Sequence, residues 1–135
     1  MNIFEKLFSD TEIPKLYPVS FSLPRGQIGR EQISSLLLAE LEEQQLASRI
    51  QPGMSVAIAV GSREITNIDE VARTVVDYVK SLGAHPFIFP AMGSHGGATA
   101  QGQLEILAGY QVTEASMGCP IRSSMDTVHI STTQS

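Results

Sequence analysis

Met54-Ser-Val-Ala-Ile-Ala-Val60 runs into the loop Gly61-Ser-Arg-Glu-Ile65, and Pro86-Phe-Ile-Phe-Pro90 runs into Ala91-Met-Gly-Ser-His-Gly-Gly-Ala-Thr99. Each is a short apolar run followed by turn chemistry, as a strand reads when it leaves a sheet. The first run is almost unbroken, which is how a strand covered on both faces reads in a parallel sheet. Between the runs, Ile68, Val71, Ala72, Val75, Val76 and Val79 recur at helical spacing. Thr66 or Asn67 is placed to cap that helix, with Glu70 three residues after Asn67, and Gly83 ends it. Leu104, Ile106 and Leu107 predict a further helix from about Thr99 to Ala108. The order strand, helix, strand, helix predicts parallel strands joined by right-handed crossovers.

Outward from this centre the pattern weakens. Arg30 to Ile50 predicts a long helix, with Ile33, Leu36, Leu37 and Leu41 on its dry side and Glu40, Glu42 and Glu43 on its wet side. Tyr17 to Leu23 alternates apolar and polar residues around Pro18 and predicts an edge strand. The first ten residues predict a short amphipathic helix, with Ile3, Phe4, Leu7 and Phe8 on one face. Val112 opens a possible short extended piece, and Asp126 to Ser131 alternates as a last strand. The expectation is an α/β fold: a Rossmann-like, mostly parallel sheet flanked by helices, in one domain over residues 1–135. The last strand stands close to Ser135, and an edge strand and a truncated longer protein are both compatible with that ending.

The chain has 135 residues, enough for one domain with a real core. A hydrophobic share of 42% beside 17% charged residues is the balance of a soluble globular protein. A net charge of −5, with its nine Lys and Arg scattered, argues against a nucleic-acid partner, which needs a basic stripe. The single cysteine, Cys119, excludes an internal disulfide framework and a cysteine-rich zinc site. The start carries an early acid and no long apolar core, and no run approaches the ~20 apolar residues of a membrane span. The expected setting is cytoplasmic, with no membrane partner.

In open α/β sheets ligands gather outside the carboxyl ends of the strands. Two loops stand there, 61–66 and 91–99, and both suit an anion. Arg63 offers a fork of donors, and Ser62 a hydroxyl. Gly93, Gly96 and Gly97 allow the backbone to approach a ligand, the following helix offers free N–H groups, and Ser94 and Thr99 add hydroxyls. His95 is the titratable group among them, fit for general acid and base work or for metal ligation. Plainer readings stand beside these. The glycine turn is then a tight strand-to-helix connection whose histidine caps a backbone group, and Arg63 pairs with Glu64 or Asp69. The glycine spacing matches neither a Walker loop nor a dinucleotide fingerprint. His85 sits at the amino end of its strand and reads as structural, His129 as a surface or interface residue, and Cys119 as a small buried one. Arg122-Ser-Ser124 either binds an anion or closes a loop. No metal cluster is expected within the chain.

Three stretches together carry more than this: Val56-Ala-Ile-Ala-Val-Gly-Ser-Arg63, Pro90-Ala-Met-Gly-Ser-His-Gly-Gly-Ala-Thr-Ala-Gln-Gly-Gln103 and Met117-Gly-Cys-Pro-Ile-Arg-Ser-Ser-Met125. They resemble the N-terminal domain of proteins similar to nickel-dependent lactate racemase, from about Gly53 to Val128. The resemblance is nearer to a broad uncharacterised branch than to the racemase itself. It implies a two-domain protein with its site in the cleft between domains, a nickel pincer nucleotide as cofactor, and racemisation or epimerisation of a 2-hydroxy acid by reversible hydride transfer. It places His95 as one of two bases and Arg63 as the anion-binding arginine. Two positions depart from the pattern: Val60 stands where the racemase has an aspartate, and Glu64 where it has a proline. By the same resemblance, the second histidine, the cofactor-bearing lysine and the nickel ligand belong to the C-terminal domain. The chain alone is then expected to be inactive and to hold no cofactor by itself. The alternatives are a stand-alone anion- or nucleotide-binding module, and a chain that forms homo-oligomers through unpaired sheet edges.

Overall fold

A computed structural model describes residues 3, 15–22, 26, 28–63 and 65–131. Two strands form its sheet, β1 (Ser55–Val60) and β2 (His85–Pro90). They are parallel and in register, from Ser55 opposite His85 to Val60 opposite Pro90. Helix α1 (Arg30–Glu43) precedes them, α2 (Ile68–Ser81) connects them, and α3 (Ala100–Gly109) and the short α4 (Glu114–Met117) follow. The chain is thus a mixed α/β structure with a parallel strand pair at its centre.

The core is where the periodicity of α2 meets the inward side of the strands. Ile68, Ala72, Val76 and Val79 on α2 are buried, and so are Val60 and Ile88 on the strands. Met92, Leu107 from α3, Val112, Met117 and Cys119 join this core. Fully burying an Ile or Leu side chain contributes about 1.5–3 kcal/mol, so Ile88 and Leu107, with no exposed surface, anchor both strand and helix. The expectation that Met54–Val60 is covered on both faces is corrected. Val56 and Ile58 are half-buried and Val60 buried, whereas Ser55, Ala57 and Ala59 between them are exposed. The run is continuous in hydrophobicity because its outer residues are small, and small residues cost little when left in water.

Three further expectations change. First, α1 ends at Glu43; Gln45 turns into the left-handed region (φ +54°), and a single 3-10 turn, Leu46–Ser48, follows. The helix rests on α2 and not on the sheet, with Ile33, Leu37 and Leu41 half-buried and Leu36 half exposed. Second, residues 15–22 have no regular structure: Tyr17, Val19 and Phe21 alternate as expected, yet each is more than three-quarters exposed and none lies in a ladder. The expected first helix and Leu23 lie outside the described residues, Ile3 apart. Third, Asp126 to Ser131 is no strand. A second pairing forms earlier, where Ile121 bridges Ile88: the Ile88 N–H donates to Pro120 O (2.9 Å) and the Arg122 N–H to Ile88 O (2.8 Å). Val112 is buried without starting a strand.

Asn67 sits at the N-cap of α2 as expected, but at φ +58° its side chain makes no capping bond. Its Oδ1 accepts from Arg30 Nη1 (3.0 Å) instead, and Arg30 also forks onto both carboxylate oxygens of Asp69. This ties the start of α1 to the start of α2. The Arg30 hydrogen bond holds the Asp69 carboxyl below its ordinary range. A carboxyl depressed on folding stabilises the native state above its unfolded value and loses that contribution as pH falls through its folded value. The urea midpoint should therefore fall as pH drops below about 4, and Arg30→Ala should flatten that part of the profile. Identical acid limbs in the two proteins would show that the pair contributes nothing.

Candidate functional site

The parallel register brings the ends of β1 and β2 side by side, so their exit loops must lie together. Ala91 N–H donates to Val60 O (2.8 Å), which ties the two exits by one bond. A cleft of about 340 Å³ lies between them, lined by Gly61, Ser62, Arg63, Ala91 and Met92.

At its rim His95 is held from both sides. Ser62 Oγ lies 2.6 Å from Nδ1, and Arg63 donates to Nε2 from Nη2 (3.0 Å) and Nε (3.3 Å). Arginine has donors only, so the Nε2 that receives it carries the lone pair. In the neutral ring Nδ1 then bears the proton and donates to Ser62 Oγ. The contacts fix both tautomer and ring orientation, and they present a basic nitrogen beside a guanidinium. Arg63 is exposed, while Ser62 and His95 are half-buried, so a solute can reach the Arg63–His95 contact from water.

His95 caps no backbone group with its side chain. Asp69 is taken by Arg30, and Glu64 lies outside the described residues. The other candidates divide. Ser94 is exposed, and no bond joins its hydroxyl to Ser62, Arg63 or His95 among the described residues. Thr99 caps α3: its hydroxyl accepts from Gly102 N–H (3.0 Å) and donates to Gly96 O (2.9 Å), and so is spent within the turn. Gly96 and Gly102 press together, and a Cβ on Gly96 would stand 2.4 Å from the Gly102 carbonyl carbon. Gly93 and Gly97 face open space, so theirs is the backbone a ligand can approach. Ala100 and Gln101, in the first turn of α3, have N–H groups that no helical carbonyl can take.

Two positioning residues had no distinguishing signal in the sequence. Gln103, buried, donates from Nε2 to Gly93 O (2.8 Å) and pins the glycine turn to α3. Tyr110, just beyond the end of α3, donates from Oη to Ser62 O (2.9 Å) and steadies the first loop. Tyr110→Phe should cost about 0.5–1.5 kcal/mol in chemical denaturation and shift the His95 imidazole signals in NMR. An unaltered His95 spectrum would remove Tyr110 from the site.

The remaining histidines and Cys119 stay apart. His85 is at the amino end of β2, His129 is exposed in the segment after the bridge, and Cys119 is buried. Burial pushes the Cys119 thiol up. Among the described residues no three His, Cys, Asp or Glu side chains are grouped to hold a metal ion, and no helix is long and apolar enough to cross a membrane. No family model, curated protein or solved structure matches the chain.

Proposed function

We propose that this chain forms one wall of a racemase or epimerase site for a 2-hydroxy acid, with His95 as a base and Arg63 as the carboxylate anchor. The observation that carries the reading is the Ser62–His95–Arg63 cluster at the carboxyl ends of parallel strands. The resemblance of the three motifs to the lactate racemase N-terminal domain supports it, and on that reading the strand pair is the start of a Rossmann-like sheet.

The chemistry follows from the resting contacts. A carboxylate entering the cleft competes for the Arg63 donors and accepts two of them at once, the geometry a guanidinium favours. Arg63 then leaves Nε2, whose lone pair becomes free where the substrate hydroxyl lies. The hydroxyl proton passes to Nε2, and the resulting imidazolium keeps its Nδ1–H on Ser62 Oγ. In the reverse direction the same nitrogen returns the proton. Capture of the acid and exposure of the base are one event.

The described side chains fit the substrate-facing side of a nickel pincer nucleotide site and not its metal ligation. Gly93 and Gly97 give open backbone for a flat cofactor to approach, whereas Gly96 and Thr99 are committed to the turn. When bound, such a cofactor supplies the reversible uptake of hydride from the carbinol carbon. The protein orients the substrate and handles its proton. The second wall and the metal ligand belong to another domain on this reading, and the cytoplasmic setting is part of the proposal.

Titration of the chain with lactate, propionate and inorganic phosphate, followed by NMR, tests the anchor. Lactate and propionate should shift Ser62, Arg63 and His95 saturably, with lactate alone perturbing His95 Nε2, and Arg63→Gln should remove the response. No response from either acid would sink the racemase reading. Phosphate binding at Arg63 more tightly than lactate would favour a stand-alone anion-binding module.

A further inference from the structure

The end of the sheet opposite His95 holds a second cavity, of about 290 Å³. It lies between the starts of β1 and β2, the last turn of α2 and the turn 118–122. Three basic side chains line it, Lys80, His85 and Arg122, and no carboxylate does. In a chain with nine Lys and Arg and a net charge of −5, that local surplus is unusual.

How each group is held matters. The Arg122 guanidinium lies 4.3 Å above the Phe87 ring, its one side-chain partner among the described residues. Stacking fixes the plane and leaves its N–H edge unspent. Lys80 Nζ donates to Gly118 O (2.7 Å) and Met117 O (3.4 Å), closing the end of α4 and keeping one proton over. Gly118, at φ +63°, makes that approach possible, since a Cβ there would stand 3.0 Å from Nζ. His85 is exposed at the first position of β2. Glu114, on the neighbouring helix, accepts the Ile121 N–H (2.8 Å), and it and Asp77 are the carboxylates whose charge reaches Cys119 from outside the lining. Cys119 in the wall is a buried thiol and adds no negative charge while protonated.

We propose that Lys80, His85 and Arg122 form a second anion-binding site, at the amino end of the sheet, that takes a phosphoryl group. Three donors converging from three elements match a tetrahedral anion with three outward oxygens. A planar carboxylate offers two and would leave one donor unmatched. The cavity has room for a phosphate and a small organic remainder, so free phosphate and a sugar monophosphate share the chemistry.

The test is titration of the whole chain with inorganic phosphate, ribose 5-phosphate and acetate, read by amide and side-chain NMR shifts. Saturable phosphate shifts at Lys80, His85, Cys119 and Arg122 are expected, with acetate at least tenfold weaker, on the order of one lost charge-assisted bond. Arg122→Gln and, separately, the exposed His85→Asn should each weaken phosphate about tenfold by the same reasoning, while Arg63→Gln leaves it unchanged. Tighter binding of ribose 5-phosphate than of phosphate assigns the site to a phosphate ester, and equal binding to the free ion; both support it. No saturable shift, shifts confined to residues 61–63 and 93–97, or acetate binding as well as phosphate overturns the proposal. If Arg122→Gln does not fold, His85→Asn decides alone.

Discussion

On the proposed function, replacing His95 with alanine should lower hydroxy-acid racemisation between about 100-fold and 10,000-fold, the range that one positioned general acid–base group supplies. On that reading the assay belongs in a protein that joins this chain to the proposed second domain and cofactor. The fold should survive, because His95 is half-buried and its side-chain bonds among the described residues run to Ser62 and Arg63, two residues of the same site. Circular dichroism of the variant checks that. Arg63→Gln should differ in kind. It removes the carboxylate fork, so KM rises, and it also frees Nε2 from its resting partner. A His95→Ala enzyme with an unchanged rate would exclude the histidine from proton transfer. Loss of rate together with loss of fold would leave Ser62→Ala as the cleaner probe, since it keeps the ring and removes only the Nδ1 acceptor.

Gly96→Ala should be the most destabilising single change in the turn, at roughly 3 kcal/mol. Two penalties add. The residue sits at φ +66°, where a side chain costs about 1–2 kcal/mol. Its Cβ would also meet backbone, 2.4 Å from the Gly102 carbonyl carbon and 2.6 Å from Gln103 N, and overpacking of that kind costs about 1–3 kcal/mol. Backbone cannot rotate aside as a flexible side chain can, so the turn or the start of α3 must move. Gly97→Ala is the control. Its φ is +65° but it faces open space, so only the first penalty applies. Urea denaturation should separate the two variants by at least 1 kcal/mol, the low end of the overpacking penalty. Equal losses would mean that the Gly96–Gly102 approach carries no energy.

What could be read from the sequence was what is local. The stripe of α2 and the two apolar runs rest on contacts within a few residues, whereas Thr99, read as a hydroxyl for a ligand, is spent on capping α3. The same information placed the two loops together, because parallel strands joined by a helix leave no other arrangement. Tyr17 to Leu23 and Asp126 to Ser131 show the limit. Alternation makes a segment fit for a sheet, but a strand also needs a neighbour, and their sequences do not specify one. Ile121 found that neighbour in Ile88 although its surroundings, Cys-Pro before and Arg-Ser after, carry no strand pattern. Within the site, Arg63 and His95 were legible as chemistry but not as a pair. Their contact depends on where two loops thirty-two residues apart come to rest. Gln103 and Tyr110 were invisible for a related reason: one reads as an ordinary helix residue and the other as part of a helix exit, and each acts on a backbone carbonyl in a different loop.

The lone buried thiol has a use of its own. Cys119 is 6% exposed and sits in the core cluster, beside the bridge that extends the sheet. Burial keeps it protonated, and the thiolate is the form that alkylating reagents attack. In the closed molecule it therefore reacts slowly. A maleimide added to the native protein reacts chiefly when the 117–121 region swings open, so its labelling rate clocks that opening. With one cysteine in the chain the signal needs no deconvolution. A ligand that clasps the turn beside it would slow the clock, and one seated at the far end of the strands would leave its pace unchanged.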